Sequence, residues 1–162
     1  MNRVGDKLLH VGANKELIRA FTSGSVEFIV VGGLAVSWYC CDRKADDMDL
    51  LVNPTHENSA RIARALDSLR MQGYSDRSFA MLGLQVPLKQ VYYAELLTPQ
   101  RDGPTYADVE QDAVDAKLFE FPVRVASAAV LIELKRKAVA SAEAQRDKHM
   151  MDIERLKKYA AV

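Results

Sequence analysis

Cysteine is almost absent from this sequence, and its two residues, Cys40 and Cys41, are chain neighbours inside an apolar run. Adjacent cysteines are poorly placed for a mutual disulfide, and no CxxC or Cys/His spacing occurs, so a disulfide scaffold and a zinc site are both excluded. A reducing cytoplasm is the expected compartment. Charge of one sign is not in excess either: 22 Lys and Arg face 22 Asp and Glu. That balance removes the global basic field that accompanies non-specific nucleic-acid binding and leaves only a local patch. No apolar run approaches the roughly 20 residues that span a bilayer, and the first residues lack a charged-then-apolar signal pattern. The chain therefore reads as soluble, unprocessed and without a membrane partner. It has no GxSxG and no Cys/His pair, so a hydrolase has no support, and His10, His56 and His149 are scattered without metal spacing. Repeats and low-complexity tracts are missing as well.

What is present fits one domain over residues 1–162, with a sheet-containing core at about 14–126 and C-terminal helices at 127–160. Leu17, Ile18 and Phe21 recur at helical spacing behind Asn14, which is placed as an N-cap, and residues 22–25 stop that helix. The continuous apolar run at 28–31 predicts a strand buried on both faces, central in a sheet. Gly32 and Gly33 then make a strand-to-helix turn, followed by a short apolar helix at 34–41. A second strand covers 48–52. Ala60, Ile62, Ala63, Leu66 and Leu69 mark an amphipathic helix over 56–70. Residues 90–97 predict another strand ended by Thr98 and Pro99, and 101–104 a loop. Residues 117–125 look like strand material in which Pro122 favours an edge or a bend. Helices are expected at 126–142 and 146–159. The order amounts to an α+β or α/β domain on a small mixed sheet.

Asp47 and Asp49, two apart on a strand, project from one face with Met48 on the other. Two such carboxylates repel unless a cation neutralises them, and hard oxygen ligands suit Mg²⁺ or Mn²⁺; the competing reading is a set of solvated acids where a strand begins. Asp46 adds a third acid, and Arg43 and Lys44 ahead of it either face phosphates or balance charge. Backbone without a side chain at Gly32-Gly33 allows a phosphate to approach a helix N-terminus, although such a pair also serves as a plain tight turn. Glu95 interrupts an otherwise apolar strand, as a third metal ligand or as the solvent-facing residue of an edge strand. Trp38, Tyr39, Cys40 and Cys41 read as core. The basic residues of the C-terminal helices, interleaved with Glu133, Asp147, Asp152 and Glu154, read as a solvated face. Lys135 is the exception, since it follows Leu131, Ile132 and Leu134 and can reach inward from the edge of their stripe.

The ordering of Gly-Gly, short helix, Arg43, Asp-x-Asp and later strand acid resembles the minimal nucleotidyltransferases of the DNA polymerase β-like superfamily. That group includes the nucleotidyltransferase toxins of abortive-infection toxin–antitoxin systems. The likeness is carried by FIVVGGLAV at 28–36, RKADDMDLLV at 43–52, FPVRVAS at 121–127, LIELKR at 131–136 and RDKHMMDIERL at 146–156, and covers about residues 14–158. It implies an α+β nucleotidyltransferase fold: a small mixed sheet flanked by helices, with a C-terminal helical tail. By the same resemblance Gly32 and Gly33 hold a nucleoside triphosphate, Asp47 and Asp49 bind the catalytic Mg²⁺ or Mn²⁺, and Glu95 is the third carboxylate. Arg43 and Lys135 are the matching nucleotide-binding cations. The implied reaction moves a nucleoside monophosphate from the triphosphate, ATP among the candidates, onto a hydroxyl of RNA, protein or a small molecule, in a toxin–antitoxin or phage-defence setting with an antitoxin partner. Ala45 stands where relatives often have Thr, Glu95 where Asp is usual, and His149 where Asp follows Lys on the tail helix, which implies loss of a contact orienting that helix. These departures set up the alternative of a catalytically weak nucleotide- or nucleic-acid-binding module. Lys137, about 200° from Lys135 around a helix, is expected to face away from the nucleotide.

Overall fold

The computed structural model describes residues 8–40, 42–71, 78–88, 92–141 and 146–160. Expectations placed on residues 41, 90, 91 and 142 lie outside the described residues. Six strands and six helices follow one another as α1 (Asn14–Ser23), β1 (Phe28–Val31), α2 (Gly32–Tyr39), β2 (Met48–Val52), α3 (His56–Ser68), β3 (Gln85–Pro87), β4 (Ala94–Leu97), α4 (Tyr106–Gln111), β5 (Val114–Leu118), β6 (Phe121–Val125), α5 (Ala128–Ser141) and α6 (Arg146–Ala160). This is the expected α+β arrangement.

The strands form one mixed sheet in the order β3-β4-β2-β1-β6-β5. β1 runs antiparallel to β2 and parallel to β6, while β2 runs parallel to β4. The all-apolar β1 therefore lies between two strands, where its continuous run of Ile29, Val30 and Val31 is buried. Leu17, Ile18, Phe21, Leu34, Met48, Leu50, Ile62, Leu66, Leu96 and Leu118 are fully buried around it. α5 and α6 pack chiefly on each other, and α2 touches both. That contact brings the C-terminal helices to the glycine end of β1.

Several local expectations need correction. Asn14 does not cap α1; Ala13 holds that position without a side-chain bond, and Asn14, fully buried in the first turn, donates from Nδ2 to the Tyr93 carbonyl at 3.0 Å. The tertiary bond holds the side chain by its N–H donor, away from the position in which its oxygen could accept from the first turn. The two glycines belong to the first turn of α2 rather than to a turn ahead of it. The strand expected from residue 90 begins at Ala94. Residues 117–125 are the turn and two arms of a hairpin, reversing at Phe119 with φ 59°. Pro122 pairs with Lys117 of β5, while β6 meets β1 through Val125 and Val30 at the other end, so its missing N–H breaks no bond to β1. β3 and α4 were not anticipated, although α4 carries a capping box. Thr105 accepts from the Asp108 N–H at 3.1 Å, and Asp108 accepts from the Thr105 N–H at 2.9 Å. Among the described residues no helix is long and apolar enough to cross a membrane.

Candidate active site

Asp49 lies on β2 in register with Val31 of β1 and with Glu95 of the parallel β4. Registered residues of adjacent strands present their side chains to one face, so Asp49 and Glu95 meet above the sheet while Met48 and Leu50 are fully buried. β4 sits between β3 and β2, which sets aside the edge-strand reading of Glu95. Asp47 stands one residue before β2 and is exposed, so the strand geometry expected for it does not hold, yet its charge still reaches Asp49. Burial, then the charges of Asp47 and Glu95 and a hydrogen bond with Glu95, raise the Asp49 pKa to about 7 against the pull of Lys135. Burial and the neighbouring Asp46 push Asp47 up as well.

The glycines are explained by what packs on them. Gly32 has φ 68°, and a β-carbon there would lie 2.9 Å from the Asp49 Cγ and nearer still to Oδ2. At Gly33 an added β-carbon would meet Arg43 Nη2 at 2.9 Å. The Gly-Gly pair is thus a seat for one acid and one cation of the site.

Beside the acids is a basic cluster. Asp152 of α6 accepts from Arg43 Nε at 3.0 Å and Nη2 at 3.3 Å, and pairs with Lys135 Nζ at 3.0 Å. All three are removed from water, with side-chain exposures of 12% for Arg43, 8% for Lys135 and 3% for Asp152. Burial raises the Asp152 pKa, but the Arg43 hydrogen bonds and Lys135 outweigh it and hold the carboxyl below its ordinary value. Lys135 does reach inward, as the stripe of Leu131, Ile132 and Leu134 implies. Asp152, three residues after His149 on the same helix, ties α6 to Arg43 and Lys135. Asp152 was read as part of a solvated face, and that reading is wrong. The signal was available: Asp152 joins Ile153 and Leu156 on the buried side of α6, and a carboxylate on a buried stripe needs a cation.

Acids and cations share one cavity of about 510 Å³, whose wall includes Gly32, Gly33, Asp47, Asp49, Lys135 and His149. Glu95 is outside its lining and acts on it through Asp49. Lys137 also lines the cavity, against expectation, because its long stem reaches round to donate to the Asp102 carbonyl at 2.8 Å. Arg43 and the buried Ala45 complete the side next to Gly33. Tyr39, packed on the core, donates its hydroxyl to the Ala126 carbonyl at 2.9 Å, in line with the structural reading of that helix.

The donor set suits a hard divalent cation in kind: carboxylate oxygens crowded enough to raise one another's proton affinity. Among the described residues no group of three or more His, Cys, Asp or Glu is already drawn into metal-binding geometry. Asp49 and Glu95 form the close pair, and Asp47 is the nearby acid still turned to solvent.

No protein-family profile matches this sequence, and no curated protein matches it. Among solved structures the chain is similar to ANT(2″)-Ia, determined in complex with adenylyl-2″-tobramycin, with a TM-score of 0.58 at 16% identity over 91% of this chain and 87% of that one. It is also similar to an antigenic nucleotidyltransferase-like protein from Paracoccidioides brasiliensis, with a TM-score of 0.49 at 14% identity over 90% of this chain and 77% of that one. The likeness to ANT(2″)-Ia establishes the fold: the six-stranded mixed sheet with its helices is a nucleotidyltransferase fold.

Proposed function

We propose that this protein is a divalent-metal-dependent nucleotidyltransferase that moves a nucleoside monophosphate from a triphosphate to an acceptor hydroxyl. The observation that carries this reading is the make-up of the cavity wall, which brings Asp47 and Asp49 together with Arg43 and Lys135, two cations held from behind by Asp152. A triphosphate chelated to Mg²⁺ or Mn²⁺ needs both halves. The acids receive the metal, and the cations receive phosphate oxygens, Arg43 through a planar fork and Lys135 as a point charge. When bound, the divalent ions supply Lewis acidity at the phosphoryl group and activation of the attacking hydroxyl. The chain's own residues bind, orient and neutralise. Asp49, raised to about 7 with a hydrogen bond to Glu95, must give up its proton before it acts as a ligand. Asp47, exposed on the cavity wall, is the third carboxylate of the set.

The acceptor is a hydroxyl of RNA, protein or a small molecule. ANT(2″)-Ia was solved with an adenylylated small molecule, which brings that class forward. One observation favours a second reading, a nucleotide-binding module with little turnover: Asp152 already satisfies much of the charge of Arg43 and Lys135. Incubating the purified protein with each labelled triphosphate and Mg²⁺, against total RNA, lysate protein and polyhydroxylated small molecules, tests both. Labelled product establishes the transferase. Metal-dependent nucleotide binding without product leaves the binding module, and the absence of both product and binding overturns the whole reading, since a fold does not establish function.

A further inference from the structure

His149, half-buried in the cavity wall, has Nδ1 3.5 Å from Lys135 Nζ. An ammonium carries three donors and no acceptor, so this contact favours the tautomer with Nδ1 bare and the ring proton on Nε2. The groups that act on this ring come from three places: Lys135 of α5, Arg43 from the segment between α2 and β2, and Lys148 and Asp152 of α6 itself. Asp152, the one carboxylate among them, is shared by Arg43 and Lys135. Burial, then Lys135, with smaller contributions from Lys148 and Arg43, hold the imidazole below its ordinary pKa against the pull of Asp152. The free protein therefore keeps His149 neutral near pH 7, as a fourth basic group of the wall that is not yet charged.

We infer that His149 is a phosphate-contacting residue of the nucleotide site that takes up one proton when a triphosphate binds. This rests on the reading of the cavity as a nucleotide site. A bound triphosphate brings several negative charges to Arg43, Lys135 and Lys148, and it reverses the local field that keeps the ring neutral. Lys135 turns its donors from Nδ1 to phosphate, and the vacated Nδ1 takes a proton from solvent. The imidazolium then offers two N–H donors where the neutral ring offered one. In the free protein the same neutrality spares α5 and α6 a repulsion between Lys135 and a charged ring.

The sign follows from linkage. Taken alone, the proton gained at His149 strengthens affinity as pH falls, by about tenfold per pH unit where a full proton is taken up, while the proton that Asp49 gives up to the metal acts with the opposite sign. Calorimetric titration of the intact protein with the Mg²⁺ complexes of the four common triphosphates, in buffers of different ionisation heat, counts the protons. The titrations of the triphosphate and of Asp49 are common to wild type and His149→Gln, so the readout is the difference between them. The proton count of wild type is expected to exceed that of the variant by up to one, and the affinity of wild type relative to the variant to strengthen as pH falls between about 8 and 6. Equal proton counts with both proteins would overturn the inference. The histidine ring signals of wild type, titrated by NMR with and without nucleotide, give a check independent of the variant's folding: the His149 pKa rises on binding, and an unchanged value overturns the proposal. If no triphosphate binds wild type at all, the nucleotide site itself fails. Binding without the proton difference sinks His149 alone.

Discussion

Gly32 and Asp49 occupy one another's space so fully that a β-carbon on the glycine would lie 2.9 Å from the Asp49 Cγ. The left-handed backbone at Gly32 and the carboxylate on the neighbouring strand are therefore parts of one device, which places an acid at the N-terminal end of α2. Gly33 plays the same part for Arg43, with one difference. Its neighbour is the far end of a flexible side chain rather than the stem of a short one.

That difference gives the first prediction. Gly32→Ala meets both a positive φ and the Asp49 stem, and should cost about 1–3 kcal/mol in denaturant unfolding. It should also remove the rise in melting temperature produced by Mg²⁺ with triphosphate. Gly33→Ala should cost less, because Arg43 can shift by a few tenths of an ångström. Equal effects from the two would show that Asp49 does not depend on its seat.

The second concerns Asp49 and pH in metal-free protein. Its pKa, raised to about 7 in the fold, means that the native state holds a proton the unfolded chain has released. Stability contributed by Asp49 is therefore lost as pH rises from the ordinary carboxylate range through 7. With chelator present, Asp49→Asn should be more stable than wild type at pH 8, and the gap should close toward pH 5. At roughly 1.4 kcal/mol per pKa unit its ceiling is on the order of a few kcal/mol. Adding Mg²⁺ with triphosphate should stabilise wild type and leave the variant unchanged. A gap that does not vary with pH would detach Asp49 from its acidic neighbours.

Asp152 gives the opposite sign. Its carboxyl is held below the ordinary value, so its contribution is present above that range and lost as pH falls through the lowered pKa. Asp152→Asn leaves Lys135 and Arg43 buried without their counter-charge and should destabilise by about 3–5 kcal/mol. Adding Lys135→Met to that variant should recover part of the loss in chemical denaturation. Simple additivity of the two would mean that the pair is not coupled.

Lys135 and Lys137 both line the cavity, yet they differ in engagement. Lys135 is buried on Asp152, whereas Lys137 is more than a third exposed and reaches Asp102 on the facing loop. Lys135→Ala should weaken triphosphate affinity more than monophosphate affinity in a titration at fixed salt. Lys137→Ala should change either by less than about 1 kcal/mol, because an exposed pair is screened. Equal small effects would remove Lys135 from the phosphate set.

The sequence by itself determined the elements that patterning controls. The apolar run of β1, the stripes of α1 and α3, the strand β2 from Met48 and the two C-terminal helices are all legible because local periodicity and burial agree there. It also brought Gly32, Gly33, Asp49 and Lys135 into one hypothesis. The short α4 and β3 lacked length for a periodic signal, and Asn14 left its cap position for a partner 79 residues away. What only the tertiary structure decided is which charges face which. Asp152 and Lys148 look alike as members of a charged helix, yet one is buried between Arg43 and Lys135 and the other stays largely in solvent. Asp49 and Glu95 are 46 positions apart and meet through the parallel register of β2 with β4. Side-chain charge is written locally, but its burial and its partner are set by how distant strands and helices pack. The energy of a buried charge depends on both.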